Sequence, residues 1–303
     1  MGKGKRIQVI YNANAGLIHP IQLVRRLINF HFPKNLCHVD LRLTKRRGHA
    51  SDLAKFAVQT KCDIIIAIGG DGTINEIASE LVNTRVWFGI IPMGSGNGFA
   101  RSMGIPLNLF RAFSNITRGE VKQVDVALAN DRYFFTTSGF GLDAMIGKRF
   151  DEGKIRGAAP YYVAGMREIM HFQPSQYEIR FGDKVLKRKA ILVAVANMKQ
   201  YGINAIIAPH AKPDDGELDL CIVSGDKLLP AMIHLPKLFT GQIDKAPHVE
   251  LYRHAEFKII REKAEVYHLD GEVIHQKEKE INVSVLPKAL NLIVNPKPIK
   301  DQL

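Results

Sequence analysis

Two glycine-rich segments hold the residues of this chain whose types and spacing could do chemistry. The first is Gly69-Gly70-Asp71-Gly72-Thr73, which ends the β-branched run Asp63–Ile68 and precedes a helical stretch that the spacing starts near Ile74. Glycine has no Cβ, so backbone amides at such a turn can come close to an anion. A helix beginning at the same place points its first N–H groups at that anion. Asp71, at the tip, can orient a hydrated metal ion or position a hydroxyl. The plainer alternative is a tight strand–helix turn with a side-chain cap. The second segment is Pro92-Met93-Gly94-Ser95-Gly96-Asn97-Gly98, between the strand-like Trp87–Ile91 and the helical Phe99-Ala100-Arg101. In a parallel sheet, loops at the carboxyl ends of neighbouring strands open into one crevice, and two glycine-rich loops there make a phosphate cradle.

Two acidic segments come later. Asp214-Asp215-Gly216-Glu217 offers oxygen ligands of the kind Mg²⁺ or Ca²⁺ takes, or is a solvated turn. Asp270-Gly271-Glu272 reads as a hairpin turn between Val266–Leu269 and Val273–His275. Such a turn can also carry a general base, so the two readings are compatible. The phosphate loops are not of the P-loop type, because no GxxxxGKS or GxxxxGKT occurs. Nor does a dinucleotide-binding GxGxxG follow the first strand. That place holds Asn12-Ala13-Asn14-Ala15-Gly16, a small polar turn within reach of a nucleotide.

The elements that must position these loops alternate in period. Ile7–Tyr11, Val39–Leu43, Asp63–Ile68 and Trp87–Ile91 read as strands. Ile21–Phe30, Ala50–Val58 and Asn75–Val82 carry helical spacing. Alternating β and α predicts a parallel sheet covered by helices on both faces. After about Val121 the pattern changes. Val124–Leu128 and Tyr133–Phe135 flank the turn-prone Asn130-Asp131. Strand-like runs recur at Tyr177–Phe181, Ala190–Ala196, Leu218–Val223, Phe257–Ile260, Val266–Leu269 and Ile281–Leu286, with helical stretches at Tyr161–Met170 and Leu228–Phe239. This spacing predicts a mostly antiparallel β domain.

Composition bounds the function. At 303 residues, 46% hydrophobic and 24% charged, the chain suits two globular domains. A formal charge of +12 fits anionic partners: nucleic acid, nucleotide phosphates or an acidic membrane face. The basic residues are scattered, and the runs Lys45-Arg46-Arg47 and Lys187-Arg188-Lys189 lack the interleaved aromatics of a single-strand-binding surface. The three cysteines, Cys37, Cys62 and Cys221, form no CxxC, which speaks against structural zinc and redox motifs; Cys62 and Cys221 read as small core residues. The eleven histidines form no HExxH. No stretch is long enough to span a bilayer and no signal-peptide region follows the basic N-terminus, so the expectation is a cytoplasmic protein. The segment Ala158–Met166, flanked by Lys148, Arg149, Lys154, Arg156 and Arg167, could meet a membrane or pack in a core.

In combination these motifs resemble the diacylglycerol kinase catalytic-domain family, which includes bacterial diacylglycerol and related lipid kinases, sphingosine kinases and ceramide kinases. Asn12–Gly16 is similar to the family's NPxSG turn, with Ala13 for Pro. Thr44, ahead of Gly48-His49-Ala50, resembles the nucleotide-contacting Thr. Gly69–Thr73 with Asn75-Glu76 matches GGDGT and its continuation. Gly94-Ser95-Gly96-Asn97 resembles the second loop. Asp125 stands at the place of a structural acid, Asp215–Asp219 resembles the DGxLD segment, and Asp270–Glu272 the late DGE. The resemblance spans nearly the whole chain.

It implies a Rossmann-like α/β domain of the NAD kinase/phosphofructokinase type over 1–127 and 289–303. A β-sandwich domain for the lipid follows over 128–288, with a nucleotide cleft between the two and a last strand near Leu290–Val294 returning to the first. It implies ATP contacts from Asn12, Ala13, Asn14, Ala15, Gly16, Thr44, Gly70, Asp71, Gly72, Thr73, Asn75, Glu76, Gly94, Ser95, Gly96 and Asn97. A structural Mg²⁺ would sit on Asp215 with backbone carbonyls of Lys212 and Glu217. Asp71 would be catalytic, and Asp270 or Glu272 the general base. The implied partner is a membrane lipid reached from the bilayer surface, with no nucleic acid; a homodimer is left open.

One departure bears on the substrate. Bacterial diacylglycerol kinases carry Asn-Asp in the second loop, whereas Gly98 follows Asn97 here, a form similar to the sphingosine and ceramide kinase branch. Ser138–Asp143 is similar to the segment in which sphingosine kinases place a substrate-recognising acid, which makes Asp143 a candidate. Two competing readings stand beside a lipid kinase. An NAD kinase shares GGDG, but its next loop should resemble NxGxxGFL, and Met93–Gly98 does not. A non-enzymatic basic nucleotide- or nucleic-acid-binding module would show steep salt dependence and no ATP turnover.

Overall fold

The computed structural model describes residues 4–16, 21–142, 144–145, 172–202, 205–225, 234, 236–275 and 278–295. Asp143, the stretch Tyr161–Met170 and the segment around Ala158–Met166 lie outside the described residues. So does most of Leu228–Phe239, of which the helical turn Pro236–Phe239 is described. The chain divides into two compact units, one formed up to Asp125 and from Pro287 onward, the other by Val126–Leu286.

The first unit begins as a strict alternation: β1 (Lys5–Tyr11), α1 (Ile21–His31), β2 (Cys37–Leu43), α2 (His49–Gln59), β3 (Ile64–Gly69), α3 (Asp71–Leu81) and β4 (Trp87–Pro92). Two further helices follow, α4 (Gly98–Ser102) and α5 (Leu109–Arg118). The strands pair in the order β4–β3–β1–β2, all parallel. All of β3 is buried, as a strand covered on both faces must be. Val9, Ile64, Ile66, Ile68 and Ile91 pack in one cluster with Val24, Leu27 and Ile28 of α1 and Phe113 and Ile116 of α5. The alternate residues Ile10, Ile65, Ala67 and Ile90 point to the opposite face and are equally buried, where α2 and α3 pack on β1, β3 and β4. The periodicity predicts every one of these elements except α5. Cys221 is buried, but Cys62 is only half-buried, at the turn into β3, where its thiol meets backbone carbonyls of Arg6 and Ile64 rather than the core.

The second unit is antiparallel. The chain enters it along β5 (Glu120–Ala129), which begins in the first unit, and continues with β6 (Arg132–Phe134), β7 (Thr137–Gly141), β8 (Ser175–Phe181) and β9 (Lys184–Ala196). The short β10 (Gln200–Gly202) and β11 (Ala205–Ile206) pair with each other. Then come β12 (Leu218–Ser224), β13 (Val249–His254), β14 (Glu256–Arg261), β15 (Tyr267–Leu269), β16 (Glu272–Ile274) and β17 (Glu280–Val294). The pairing runs β16–β15–β7–β9–β8–β14–β17, with β12 joining β9 and β13. Phe140, Tyr177, Val193, Leu220, Phe257, Tyr267 and Ile281 are among the residues of its main core.

The two runs expected as separate strands, Ile281–Leu286 and Leu290–Val294, form the one strand β17. Its first half pairs antiparallel with β14, and Asn291 and Leu292 pair parallel with Trp87 and Phe88 of β4. Pro287-Lys288 looks like a break in the sequence, because proline cannot donate to a ladder. The chain passes through it with Lys288 at a left-handed φ of 54°. The Lys288 N–H donates to Asp125 Oδ1 at 2.7 Å, and Asp125 is 1% exposed. Removing a buried acceptor leaves that amide unsatisfied, at a cost of about 1–3 kcal/mol. Asp125→Ala is therefore expected to lower unfolding free energy by about that amount, read as a reduced urea midpoint with an unchanged slope.

Candidate active site

The register of the parallel strands brings four loops to one level. Asn12, Thr44, Gly70 and Met93 begin at the carboxyl ends of β1, β2, β3 and β4. The ladder persists to the point of departure: Asn12 N–H donates to Ile68 O at 2.9 Å, Thr44 N–H to Tyr11 O at 3.0 Å and Met93 N–H to Gly69 O at 2.8 Å.

Gly70 is extended, with φ −88° and ψ −178°, and ends the strand; α3 begins at Asp71, not near Ile74 as the spacing predicts. The first helical bond runs from Ile74 N–H to Gly70 O at 3.0 Å. Asp71, Gly72 and Thr73 are thus the first helical turn. No side chain caps this turn, since Gly70 has none to offer. Such a terminus binds anions through its first amides and through the positive end of the helix dipole.

The loops lie backbone against backbone. A Cβ on Gly94 would stand 2.7 Å from Gly70 Cα, and one on Gly16, at φ 57°, would stand 1.8 Å from Met93 O. A Cβ on Gly96 would stand 3.0 Å from Asp71 Oδ2, so that carboxylate lies against the second loop. Gly72 and Gly98 face open space. Ser95 is exposed at the loop tip.

Several of the other expected contact residues spend their side chains on building this cradle. Asn97, 6% exposed and at φ 53°, accepts from Gly94 N–H at 2.8 Å and donates to Gly94 O at 2.7 Å. Thr73, also buried, accepts from Asn12 Nδ2 at 2.9 Å, and Asn12 Oδ1 accepts from Asn14 N–H at 3.0 Å. Asn75 Oδ1 accepts from Ser79 Oγ at 3.5 Å within α3. Ala13 packs on the first unit's core, beside the half-buried Ala15. The Glu76 carboxylate takes Gly48 N–H at 2.9 Å and Ala50 N–H at 3.1 Å, which fixes the start of α2 and the loop from Thr44. Arg101, which the sequence reading uses only as a helical residue, donates from Nε to Gly96 O at 3.0 Å.

In the second unit, Glu217 N–H donates to Asp215 Oδ1 at 3.2 Å. The Arg253 guanidinium stands 3.7 Å from Asp215, 3.7 Å from Glu217 and 3.5 Å from Asp219, and donates to His210 O at 2.7 Å. Burial pushes the Asp219 carboxyl up, against the pull of Arg253. The set implied for magnesium, one carboxylate with the carbonyls of Lys212 and Glu217, is all oxygen, which suits a hard cation that keeps part of its water. Arg253 carries no local sequence signal, because its partners lie far away along the chain.

The other acidic segment is a two-residue hairpin. Leu269 pairs with Glu272, and the turn is Asp270 at φ 49° and Gly271 at φ 84°, the left-handed pair that such a hairpin requires. The Asp270 carboxylate accepts from Phe135 N–H at 2.7 Å, Thr136 N–H at 2.7 Å, Thr136 Oγ at 2.5 Å and Thr137 N–H at 3.1 Å. Glu272 is exposed. The two candidates for the base thus differ in exposure: Asp270 is held by the segment Phe135–Thr137, and Glu272 lies at the surface.

Comparison with known proteins gives the family and the fold. Residues 6–129 match the family model described as the diacylglycerol kinase catalytic domain, and residues 136–294 that of the YegS C-terminal NAD kinase beta sandwich-like domain. "Probable lipid kinase YegS-like" of Enterobacter sp. (strain 638) is 32% identical over 267 residues, which cover 85% of this chain and 87% of that protein. "Probable lipid kinase YegS" of Escherichia fergusonii is 30% identical over 265 residues, 85% and 87% of the two chains. A solved diacylglycerol kinase from Bacillus anthracis str. Sterne superposes with a TM-score of 0.76 at 24% identity, over 97% of this chain and 98% of that one, which shows the fold.

The backbone contacts make a graded prediction. Gly94→Ala forces Gly70 and Gly94 apart and is expected to weaken ATP binding tenfold or more by titration calorimetry, whereas Gly98→Ala, with open space before it, stays within about twofold.

Proposed function

The chain belongs to the lipid-kinase family that joins a diacylglycerol kinase catalytic domain to a YegS-type C-terminal domain, and from that membership we propose how its residues transfer phosphate from ATP to a lipid hydroxyl. It is a phosphotransferase. The observation that carries the mechanism is the cradle of bare backbone at the carboxyl ends of β1 to β4, with Asp71 in the first turn of α3.

The triphosphate lies against the amides of Gly70–Thr73 and Gly94–Gly96. Phosphoryl transfer needs little covalent help; positioning and charge neutralisation provide most of the acceleration. Asn12, Thr73, Glu76 and Asn97 hold the loops in place beforehand. Asp71 would help to hold a magnesium ion beside the phosphates, where it would neutralise their charge. Asp215 and the carbonyls of Lys212 and Glu217 would hold a second magnesium ion, which would steady that turn.

Glu272 is the general base. As the lipid oxygen bonds to phosphorus, the hydroxyl proton passes to its carboxylate, and ADP leaves. Asp270 is poorly suited to that task, because taking a proton would cost it the hydrogen bonds it receives from Phe135, Thr136 and Thr137. Among the described residues no helix is long and apolar enough to cross a membrane, which favours an enzyme that takes its substrate from the bilayer surface. Gly98 in place of an acid after Asn97 favours a sphingoid base or ceramide over diacylglycerol.

Transfer of labelled phosphate from ATP into a panel of diacylglycerol, long-chain base, ceramide and monoacylglycerol tests the proposal. One labelled phospholipid is expected, absent with Asp71→Ala; labelled NADP with no labelled lipid would overturn it. Glu272→Gln is expected to lower kcat by about 10²–10⁴-fold with ATP affinity unchanged, and wild-type turnover in that variant would remove Glu272 from the mechanism.

A further inference from the structure

We infer that Thr136 and Asn197 are positioning residues for the hairpin that presents the proton-accepting carboxylate. The inference rests on Glu272 being the base. The hairpin turn is short: Asp270 stands at φ 49°, in the left-handed region that such a turn requires and that aspartate tolerates. What holds it is the segment Phe135–Thr137, which joins β6 to β7. Asp270 N–H donates to Thr137 O at 2.8 Å, and the Asp270 side chain receives the N–H groups of all three residues. Thr136 adds its hydroxyl, at 2.5 Å from Asp270 Oδ1.

A clamp of this kind fixes the turn only if the segment is itself fixed, and Asn197 does that from the end of β9. Its Nδ2 donates to Phe135 O at 3.0 Å and its N–H to Thr136 O at 2.8 Å; Met198 N–H adds a bond to Thr136 O at 3.3 Å. Thr136, Thr137 and Asn197 are 8%, 1% and 1% exposed, so water competes little for these bonds. Residues Phe135–Thr137 thus have their amides on Asp270, and the carbonyls of Phe135 and Thr136 on Asn197 and Met198. Glu272 follows Asp270 by two residues, so a rotation at Asp270 moves its carboxylate. A shift of about 1 Å in a reacting group can cost roughly 10²-fold in rate. Neither Thr136 nor Asn197 touches the reacting atoms in this account; both act through Asp270.

Kinetics of Thr136→Val, Thr136→Ser and Asn197→Ser, alone and combined with Glu272→Gln, test the inference. Valine keeps the shape of threonine and removes the donor; serine keeps the donor. Thr136→Val is expected to lower kcat by about 10–100-fold with KM for ATP within about twofold, and Thr136→Ser to restore kcat to within about threefold of wild type. In the Glu272→Gln background, where the base is gone, Thr136→Val should lower kcat by less than about twofold, the non-additivity of residues that act as a unit. Asn197→Ser, which removes only the side-chain donor to Phe135, should show a smaller loss and the same non-additivity, and serves if Thr136→Val fails to fold. Wild-type kcat in the folded Thr136→Val or Asn197→Ser variant would overturn the inference. So would equal losses with and without Glu272, or a serine variant as slow as the valine one. The Glu272→Gln single variant reports on the base assignment by itself, so the two failures are separable.

Discussion

Contact between two stretches of bare backbone, Gly70 against Gly94, is the constraint on which the rest of the first unit depends. The two chains approach so closely that a Cβ on Gly94 would lie 2.7 Å from a main-chain carbon. That approach is possible only because β3 and β4 run parallel in register and end together, with Gly69 paired to Pro92. Around it the polar side chains act inward. Asn97 closes its own loop, Asn12 ties β1 to the first turn of α3, and Glu76 ties α3 to the start of α2. The first turn of α3 carries no side-chain cap, so its peptide N–H groups remain for a ligand. Amide donors fixed in this way need no reorganisation when charge develops on a phosphate, which is where electrostatic catalysis gains most.

The second unit solves a different problem with the same means. In the proposed mechanism a carboxylate that accepts a proton has to be held in place. Of the two acids that stand two residues apart in the hairpin, Asp270 is held by Phe135, Thr136 and Thr137, and Glu272 is exposed. Arg253 plays a comparable part at the other acidic turn, where one guanidinium draws Asp215, Glu217 and Asp219 together.

Much of this was legible in the sequence, and what was not has identifiable causes. The alternating β and α periods and the two glycine-rich loops appear where the residues predict them, because buried parallel strands and glycine-rich turns have strong local signatures. The start of α3 was placed too late, because Gly72 reads as loop although here it is helical. The single strand β17 was read as two, because Pro287-Lys288 resembles a terminator and the amide of Lys288 is rescued by Asp125, far away in the sequence. Thr136, Asn197 and Arg253 were invisible as site residues for the same reason. Their partners are remote in the chain, and nothing in a Thr-Thr pair or a lone arginine announces a carboxylate across the fold. The sequence marks Asn97 and Glu76 as ligand contacts; it does not show that their side chains also bond to the backbone of the loops.

Amide hydrogen exchange with and without a nonhydrolysable ATP analogue and Mg²⁺ tests the central claim most directly. If the phosphates rest on the strand-end amides, the analogue will slow exchange at Gly70–Thr73 and Gly94–Gly96 most strongly, and replacing Asp71 by Ala will weaken that protection. Protection confined to other segments, with these two loops exchanging as in the free protein, would contradict the account.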